Sequence, residues 1–423
     1  MFIKKLFPLV WLFFCAQAPA QCPAGANCDE SGVGTYTLPD PLVFQDGKPV
    51  KSAKDWKRRR EELITLFQEN EYGRNPKLPK SAGSEIFDLD RKALGGTAIR
   101  KQVSIDLTTN KVGPKEDLLV YIPADAVKPV PVILAINFNG NQSVINDPGI
   151  KLPVLWDRRR GESTPAAATS RGTDTNWQVE QVLKHGYGFA TVYYQQIDPD
   201  FKGGMEKGIG IRSMLLKAGQ TEQAADNWGA IGAWSYGLSR AMDYMEKDKD
   251  VDSRRVAVMG HSRLGKTALW TGAIDTRFAM VLASCSGEGG ASLARRNYGE
   301  TTRNLVDNFP YWFCRNFQKY ADHSDQLPVD AHELIALSAP RPVYVTSAEK
   351  DLEADPKGMF LACVAAGPVY KLLGAQDLGV DQMPELNQPI MHSLGFHYRA
   401  GKHEVTAYDW DQFLRFADMH LKK

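Results

Sequence analysis

The sequence has no clear excess of charge of either sign, and this limits the classes of protein it can belong to. Its 423 residues include 51 Lys and Arg against 50 Asp and Glu, a formal net charge of +1. Proteins that bind nucleic acids usually carry a clear basic excess, and peripheral membrane anchors carry a polybasic run. We therefore expect neither a nucleic-acid partner nor a membrane partner.

Cysteine is scarce, and the six cysteines do not follow a metal-binding pattern. The sequence contains neither CxxC nor HExxH, so no metal centre is expected. Cys22 and Cys28 enclose a short loop and are one candidate disulfide, and Cys285 with Cys314 is a second. Cys363 lies in the apolar run LACVAAG and is predicted to be a buried free thiol.

Long hydrophobic runs are also missing, except near the first residue. Lys4 and Lys5 precede an apolar run from Leu6 to Cys15, and small residues follow at 18–20. This is the anatomy of a secretory signal peptide over residues 1–20, so we expect a secreted or periplasmic protein. Since no repeat or linker divides the rest, residues 21–423 are predicted to form one domain, and we expect a monomer.

Strand-like and helix-like segments alternate along the chain after residue 50. Such alternation predicts an α/β fold with a mostly parallel central sheet and helices on both faces, a three-layer αβα sandwich. In such sheets the site lies at the carboxyl ends of the strands. The stretch around 147–177 has no clear periodicity and is predicted to be an inserted loop. The predicted strands are 117–122, 130–138, 187–194, 255–259, 278–284 and 341–347, and the predicted helices 54–70, 228–247, 264–274 and 409–421.

The segment GHSRLGK, residues 260–266, directly follows the buried strand RVAVM. A serine in a sharp strand-to-helix turn is the nucleophile elbow of α/β-hydrolases, whose usual pattern is GxSxG. Here the second glycine comes one place later, giving GxSxxG. Ser262 is therefore the predicted nucleophile, and a plain helix-capping role is the weaker alternative.

The catalytic acid of this fold follows a late strand, after the nucleophile in the chain. Asp351 lies just beyond the strand that ends near residue 347. Glu349, Glu353 and Asp355 are close neighbours, so spacing alone leaves the acid open among these four residues.

The base of a serine nucleophile is expected just before the last helix. His403 occupies that position, and His392 and His397 are rivals that lie further from the start of the helix. His261 adjoins the nucleophile, but its side chain is predicted to point away from the site.

These residues belong to a longer pattern that resembles carbohydrate esterase family 15, the glucuronoyl esterases, and in particular its bacterial branch. The matching segments are GHSRLGK, SGEGGASLARRNYGET, NFPYWF, IALSAPRPVYV, the Asp351 loop and GKH, and the resemblance extends from about residue 50 to the end. The family hydrolyses esters between 4-O-methyl-glucuronic acid on xylan and an alcohol thought to come from lignin. The resemblance therefore implies an α/β-hydrolase fold, that substrate class and no cofactor.

Carried over residue by residue, the family motif implies a catalytic triad of Ser262, His403 and Asp351. Arg263, beside the nucleophile, corresponds to the residue that stabilises the oxyanion through its backbone N–H and its guanidinium.

The same resemblance implies a sugar-binding role for Lys266, one helical turn beyond the nucleophile, and for Glu300 in the YGET segment. Trp312 in FPYWF is expected to help form the substrate pocket, although a core role fits this tryptophan equally well.

Two departures from the family pattern concern the acid and the pocket. Fungal members carry the acid as a Glu after the strand that follows the nucleophile helix, and that position is Cys285 here. Bacterial relatives often place a Trp two residues after the acid, where this chain has Glu353. An acetyl-xylan or other carbohydrate O-acyl esterase is the alternative enzyme, and a catalytically decayed glycan-binding protein is the alternative outside enzymes.

Overall fold

The computed structural model describes residues 22, 25–75, 83–108, 113–127, 129–214 and 224–422. The predicted signal peptide, residues 1–20, lies outside the described residues. Within these ranges, no helix combines the length and the apolar character needed to cross a membrane.

The centre of the fold is a ten-stranded sheet, and two further strands form a separate hairpin. The strands of the described chain are β1 (Ser84–Lys92), β2 (Ala98–Asp106), β3 (Lys115–Pro123), β4 (Val130–Asn137), β5 (Val154–Asp157), β6 (Glu162–Pro165), β7 (Gly188–Tyr193), β8 (Val251–His261), β9 (Met280–Ser284), β10 (Val343–Ala348), β11 (Ile390–Met391) and β12 (Leu394–Arg399).

The strand order in the large sheet is β1-β2-β3-β7-β4-β8-β9-β10-β12-β11. Every pairing from β7 to β12 is parallel, and the pairings towards the two edges are antiparallel. The carboxyl ends of six adjacent parallel strands therefore meet at one edge, which is where such sheets carry their sites.

Helices cover both faces of the sheet. They are α1 (Ala53–Asn70), α2 (Ala93–Gly96), α3 (Val179–Lys184), α4 (Tyr194–Ile197), α5 (Ile211–Met214), α6 (Ala230–Met245), α7 (Arg263–Ile274), α8 (Thr302–Asn308), α9 (Ala331–Ala336), α10 (Pro356–Leu372) and α11 (Ala407–Leu421).

Alternation along the strands separates two apolar layers. On β3, Leu118 and Val120 join the core under α1, α6, α7, α9 and α10. Leu119 and Tyr121 point to the opposite core, under α3 and α11. The fold is thus the predicted three-layer α/β-hydrolase sandwich with a mostly parallel sheet.

The predicted strands and helices are all present, with boundaries shifted by a few residues. The edge strand β1 was not predicted because it is largely exposed and polar. Helix α10 was missed because it is apolar on most sides, so its sequence has no helical period. The stretch predicted as an inserted loop, 147–177, contains the hairpin of β5 and β6.

The cysteines follow one of the two predicted pairings. Cys22 and Cys28 form a disulfide, whereas the prediction of a bond between Cys285 and Cys314 is wrong, since both are buried free thiols. Cys314 lies beside the backbone of Glu69. Cys285 directly follows the end of β9. Cys363 is a buried free thiol, as predicted.

Candidate active site

Ser262 lies in a strained turn between β8 and α7. Its backbone has φ 58° and ψ −131°, and its side chain makes no capping hydrogen bond to the helix. The backbone N–H of Ser262 donates to the carbonyl of Ser284 at the end of β9 (2.8 Å). A non-glycine residue in this region of φ and ψ is uncommon and is often found at functional sites.

The two glycines around Ser262 are required by close packing. A Cβ atom on Gly260 would lie 1.9 Å from the carbonyl oxygen of Leu264. A Cβ atom on Gly265 would lie 3.0 Å from the carbonyl oxygen of Ser284 and 3.0 Å from Cβ of Ser286. The second glycine of the motif is thus the point where α7 packs against the end of β9.

His403 and Asp351 form the contact expected of a catalytic base and its orienting acid. Nδ1 of His403 lies 2.7 Å from Oδ2 of Asp351. The Asp351 side chain is 3% exposed, while that of His403 is 43% exposed. Asp355, a rival acid, instead binds Arg296 and Ser292.

The rival histidines are occupied elsewhere. His397 is fully buried, with Nε2 2.8 Å from Asp409 and Nδ1 3.1 Å from the hydroxyl of Tyr344. Nδ1 of His392 lies 3.0 Å from the backbone carbonyl of Asp377.

The loops that carry the acid and the base are tied together by their backbones. The N–H of Glu349 donates to the carbonyl of Arg399 (2.8 Å), and the N–H of Lys350 donates to that of Gly401 (2.9 Å). These bonds extend the parallel pairing of β10 and β12 beyond the strand ends, so the sheet itself fixes the distance between Asp351 and His403.

A cleft of about 970 Å³ opens in front of Ser262 and His403. Its walls combine aromatic rings with cationic side chains, and part of them comes from the β5–β6 hairpin. The lining includes Phe138, Trp156, Arg158, Arg159, Tyr194, Asp200, Lys202, His261, Ser262, Arg263, Phe309, Tyr311 and His403.

The prediction that His261 points away from the site is wrong. His261 lines the cleft, its ring centroid is 4.6 Å from that of His403, and its Nδ1 is 3.2 Å from Oγ of Ser284. Burial, together with the neighbouring His403, holds the pKa of His261 well below its usual value. The positive φ of Ser262 interrupts the regular strand geometry directly after His261, so both side chains can line the same cleft.

Arg263 is a partly buried cation next to the nucleophile, with its side chain 15% exposed. Its Nη1 donates to Oδ2 of Asp200 (2.6 Å), and its guanidinium lies over the ring of Trp312 at 4.8 Å. Burial acts to lower the pKa of Arg263, but the carboxylate of Asp200 outweighs it, and the net shift is upward. Nε of Arg263 is buried and has no hydrogen-bond partner among the described residues, so one donor beside Ser262 is unused.

Below the elbow, in the first turn of α7 after Ser262, Lys266 forms an ion pair with Glu300. Nζ of Lys266 lies 3.2 Å from Oε2 of Glu300 and donates to the carbonyl of Ser286 (2.8 Å). The backbone N–H of Glu300 bonds the carbonyl of Glu353 (2.8 Å). Desolvation, followed by the nearby Glu300 carboxylate, raises the pKa of Glu353.

Trp312 is 2% exposed, and its indole N–H donates to Oδ1 of Asp200 (2.7 Å). The described residues that line the cleft do not include the three predicted substrate-binding residues Trp312, Lys266 and Glu300. The structure thus places Trp312 behind Arg263, as a support of that side chain.

Cys285 lies beside the acid–base pair. The Sγ atom of Cys285, a carboxylate oxygen of Asp351 and a ring nitrogen of His403 all lie within 4.8 Å of one another. Among the described residues, this is the group of side chains close enough together to hold a metal ion. Burial, and then the carboxylate of Asp351, raise the pKa of the Cys285 thiol well above its usual value. Cys285 therefore places a thiol, and not a second carboxylate, beside the acid–base pair.

Sequence reasoning missed two residues of the cleft, Asp200 and Arg158. Arg158 is one of three consecutive arginines, 158–160, inside the stretch predicted as an inserted loop. Asp200 carries no motif signal, because its role depends on side chains that are distant in the chain, such as Arg263.

Comparison with known proteins finds relatives that match most of the chain. Residues 222–374 match a family model described as glucuronyl esterase, fungi. Over 408 residues the chain is 48% identical to carbohydrate esterase MZ0003 from an unknown prokaryotic organism, which covers 94% of this chain and 93% of that relative.

A solved structure and a fungal enzyme agree with this match. The structure of a glucuronoyl esterase from Solibacter usitatus is 49% identical, with a TM-score of 0.89 over 92% of this chain and 99% of that chain. A 4-O-methyl-glucuronoyl methylesterase from Podospora anserina is 28% identical over 85% of this chain and 65% of the relative.

Proposed function

Because the chain belongs to carbohydrate esterase family 15, the glucuronoyl esterases, we propose that it hydrolyses esters of 4-O-methyl-glucuronic acid on glucuronoxylan. The alcohol released is proposed to be an aryl or alkyl alcohol of lignin. The observation that carries the proposal is the Asp351–His403 hydrogen bond, with Ser262 in a strained elbow lining the same cleft as His403.

The proposed reaction is a two-step acyl transfer. Oγ of Ser262 attacks the ester carbonyl while His403 takes its proton, and the alcohol then leaves with that proton. Water, activated by His403, hydrolyses the glucuronoyl-enzyme and releases the uronate. Asp351 holds Nδ1–H of His403, so Nε2 is the nitrogen that accepts the proton.

Arg263 is proposed to stabilise the oxyanion of both tetrahedral intermediates. Arg263 is the first residue of α7, so its backbone N–H lies directly beside Ser262, and its side chain lines the cleft. A fixed cation at the site of developing charge lowers the barrier because water does not have to reorganise around it.

Lys266 and Glu300 are proposed to bind hydroxyl groups of the sugar from below the elbow. They are already paired at 3.2 Å, so they present a preformed donor and acceptor to a polyol. We propose that Trp312 contributes through Arg263, whose guanidinium it supports.

The wide cleft suits a leaving group that extends towards solvent. Phe138, Trp156 and Phe309 offer apolar faces to an aromatic alcohol. We further propose that residues 1–20 direct export, and that residues 21–423 act as one catalytic domain and as a monomer.

Hydrolysis of benzyl glucuronate by the wild type and by Ser262→Ala tests the proposal. We expect turnover by the wild type, and a loss of several powers of ten in Ser262→Ala with an unchanged fold. A wild type that cleaves acetylated xylan but not benzyl glucuronate would instead be a carbohydrate O-acyl esterase. Unchanged turnover in Ser262→Ala would contradict the nucleophile assignment.

A further inference from the structure

Asp200 is a fully buried carboxylate beneath the cleft, in the segment that follows β7 and α4. Its two oxygens are covered by donors from distant parts of the chain. Tyr194 donates to Oδ2 (2.8 Å), and Tyr311 (3.0 Å) and Trp312 (2.7 Å) donate to Oδ1. Burying a charged group without partners costs free energy, so a buried carboxylate needs hydrogen bonds to its oxygens. The donors around Asp200 provide these bonds and fix the position of the carboxylate.

Two guanidinium groups meet at this carboxylate. Nη1 of Arg263, beside the nucleophile, and Nε of Arg158, from the turn of the β5–β6 hairpin, each lie 2.6 Å from Oδ2 of Asp200. Both guanidinium groups also lie over the ring of Phe309, each 5.8 Å from its centroid. Asp200 therefore joins the elbow to the hairpin wall of the cleft.

The charges around Asp200 have a consequence for the reaction. The lining carries four cationic side chains, Arg158, Arg159, Lys202 and Arg263, and two carboxylates, Asp157 and Asp200. The ester substrate is neutral at its carbonyl, but hydrolysis turns it into a carboxylate. A cationic cleft that stabilises the oxyanion of the transition state also attracts this anionic product, which slows its release.

We propose that Asp200 is a positioning residue that aims Arg263 at the oxyanion and, by neutralising part of the charge of Arg158 and Arg263, limits retention of the uronate product. The proposal rests on the proposed function for the identity of the product. Catalysis requires stronger interaction with the transition state than with substrate or product. The 2.6 Å contact with Asp200 holds the Arg263 guanidinium in the position where it meets the oxyanion. The negative charge of Asp200 also reduces the attraction of the two arginines for the uronate product.

The test uses Asp200→Asn, which keeps the shape of the side chain and removes its charge. We expect kcat on benzyl glucuronate to fall at least about tenfold, because Arg263 loses its charged anchor. We also expect the inhibition constant of glucuronate to fall several-fold, because two cations are left without a counter-charge. A purely structural role would lower the melting temperature and the active fraction, and would leave the inhibition constant of the folded enzyme unchanged.

Arg158→Gln is the matched partner variant. Combined with Asp200→Asn it restores the charge balance, so the inhibition constant should return towards the wild-type value while kcat stays low. Alone, Arg158→Gln should weaken inhibition by glucuronate, and this result still tests the proposal if Asp200→Asn does not fold. An inhibition constant that is unmoved in both single variants would overturn the role in product release.

A second substrate separates this proposal from the proposed function. If the wild type hydrolyses 4-nitrophenyl acetate but not benzyl glucuronate, the uronate substrate is wrong. The kcat of Asp200→Asn on 4-nitrophenyl acetate then still measures the positioning of Arg263. A kcat within twofold of the wild type on both esters would overturn the positioning role.

Discussion

The guanidinium of Arg399 holds the backbone on both sides of His403. Its Nη2 donates to the carbonyl of Lys402 (2.9 Å) and to that of Glu404. Arg399 is 2% exposed, and its Nε lies 2.8 Å from Oδ2 of Asp409. The buried Arg399–Asp409 ion pair therefore holds the loop that carries His403, in addition to the backbone hydrogen bonds from the loop of Asp351.

Replacing Arg399 by Gln should therefore reduce catalysis without weakening substrate binding. We expect kcat to fall about 10- to 100-fold with little change in KM, because a small displacement of the base misaligns the proton transfer. The free energy of unfolding should also fall by up to about 3–5 kcal/mol, because the buried carboxylate of Asp409 loses its cationic partner and keeps only the hydrogen bonds from His397 and Thr406. Steady-state kinetics and urea unfolding measure the two effects.

Arg254→Gln is the control for this substitution, because the Arg254 side chain is 90% exposed. It should leave kcat, KM and the unfolding free energy unchanged. A normal kcat in a stable Arg399→Gln protein would show that the loop holds His403 without the arginine.

Because Cys285 lies close to Asp351 and His403, we predict that a carboxylate at position 285 can take over the role of Asp351. Asp351→Asn should lower kcat by about four powers of ten, because an amide does not hold the required tautomer of His403. Adding Cys285→Glu should recover part of the lost kcat, since Sγ of Cys285 is within 4.8 Å of the His403 ligand atom. Measurement of kcat for the single and double variants tests this.

Cys285→Ser in the same Asp351→Asn background is the matched control, and it should give no recovery. If Cys285→Glu gives none either, the strand end at Cys285 does not aim a carboxylate at His403, and the two acid positions are not interchangeable in this chain.

Much of the fold could be predicted from the sequence because short apolar runs that form the central strands alternate with helix-like segments. The apolar run 255–259 within β8 and the segment of α7 that follows Ser262 are examples. The edge strand β1 could not be predicted in this way, because its burial depends on a neighbouring strand and its own residues are mostly exposed. Helix α10 is apolar on most sides since it packs in the core, so it has no periodic signal.

The site divides in a similar way. The chain order of Ser262, Asp351 and His403 is tied to strand and helix ends, so their positions could be read from the sequence. The orientation of His261 and the charge cluster at Asp200 depend on backbone angles and on contacts between distant segments. Neither leaves a trace in local spacing, which is why both needed the structure.

Glu300→Gln tests whether the ion pair below the elbow recognises the sugar. The variant keeps the side-chain shape, but its amide is a weaker acceptor for a sugar hydroxyl than the carboxylate. We expect KM for benzyl glucuronate to rise about tenfold, the usual effect of losing a charged hydrogen bond, with no comparable change for 4-nitrophenyl acetate. Glu385→Gln, at an exposed site, should change neither value, and an equal effect on both esters would contradict sugar recognition.

A buried carboxyl predicts that the folded protein loses stability as the pH rises. Desolvation, and then the charge of Asp330, raise the pKa of Glu71 from 4.5 to about 8. The folded state therefore keeps a proton that the unfolded state releases, so the contribution of Glu71 to stability is complete below pH 4.5 and is lost as the pH rises through about 8. Between these values the loss is about 1.4 kcal/mol per pH unit.

Urea unfolding of wild type and Glu71→Gln between pH 5 and pH 8 measures the contribution of Glu71. The free energy of unfolding of the wild type should fall with pH relative to that of the variant, because glutamine has no proton to lose. Glu61→Gln, on the exposed side of α1, should keep the wild-type slope. Parallel slopes in the wild type and Glu71→Gln would mean that Glu71 ionises alike in the folded and unfolded states, and that burial does not hold its proton.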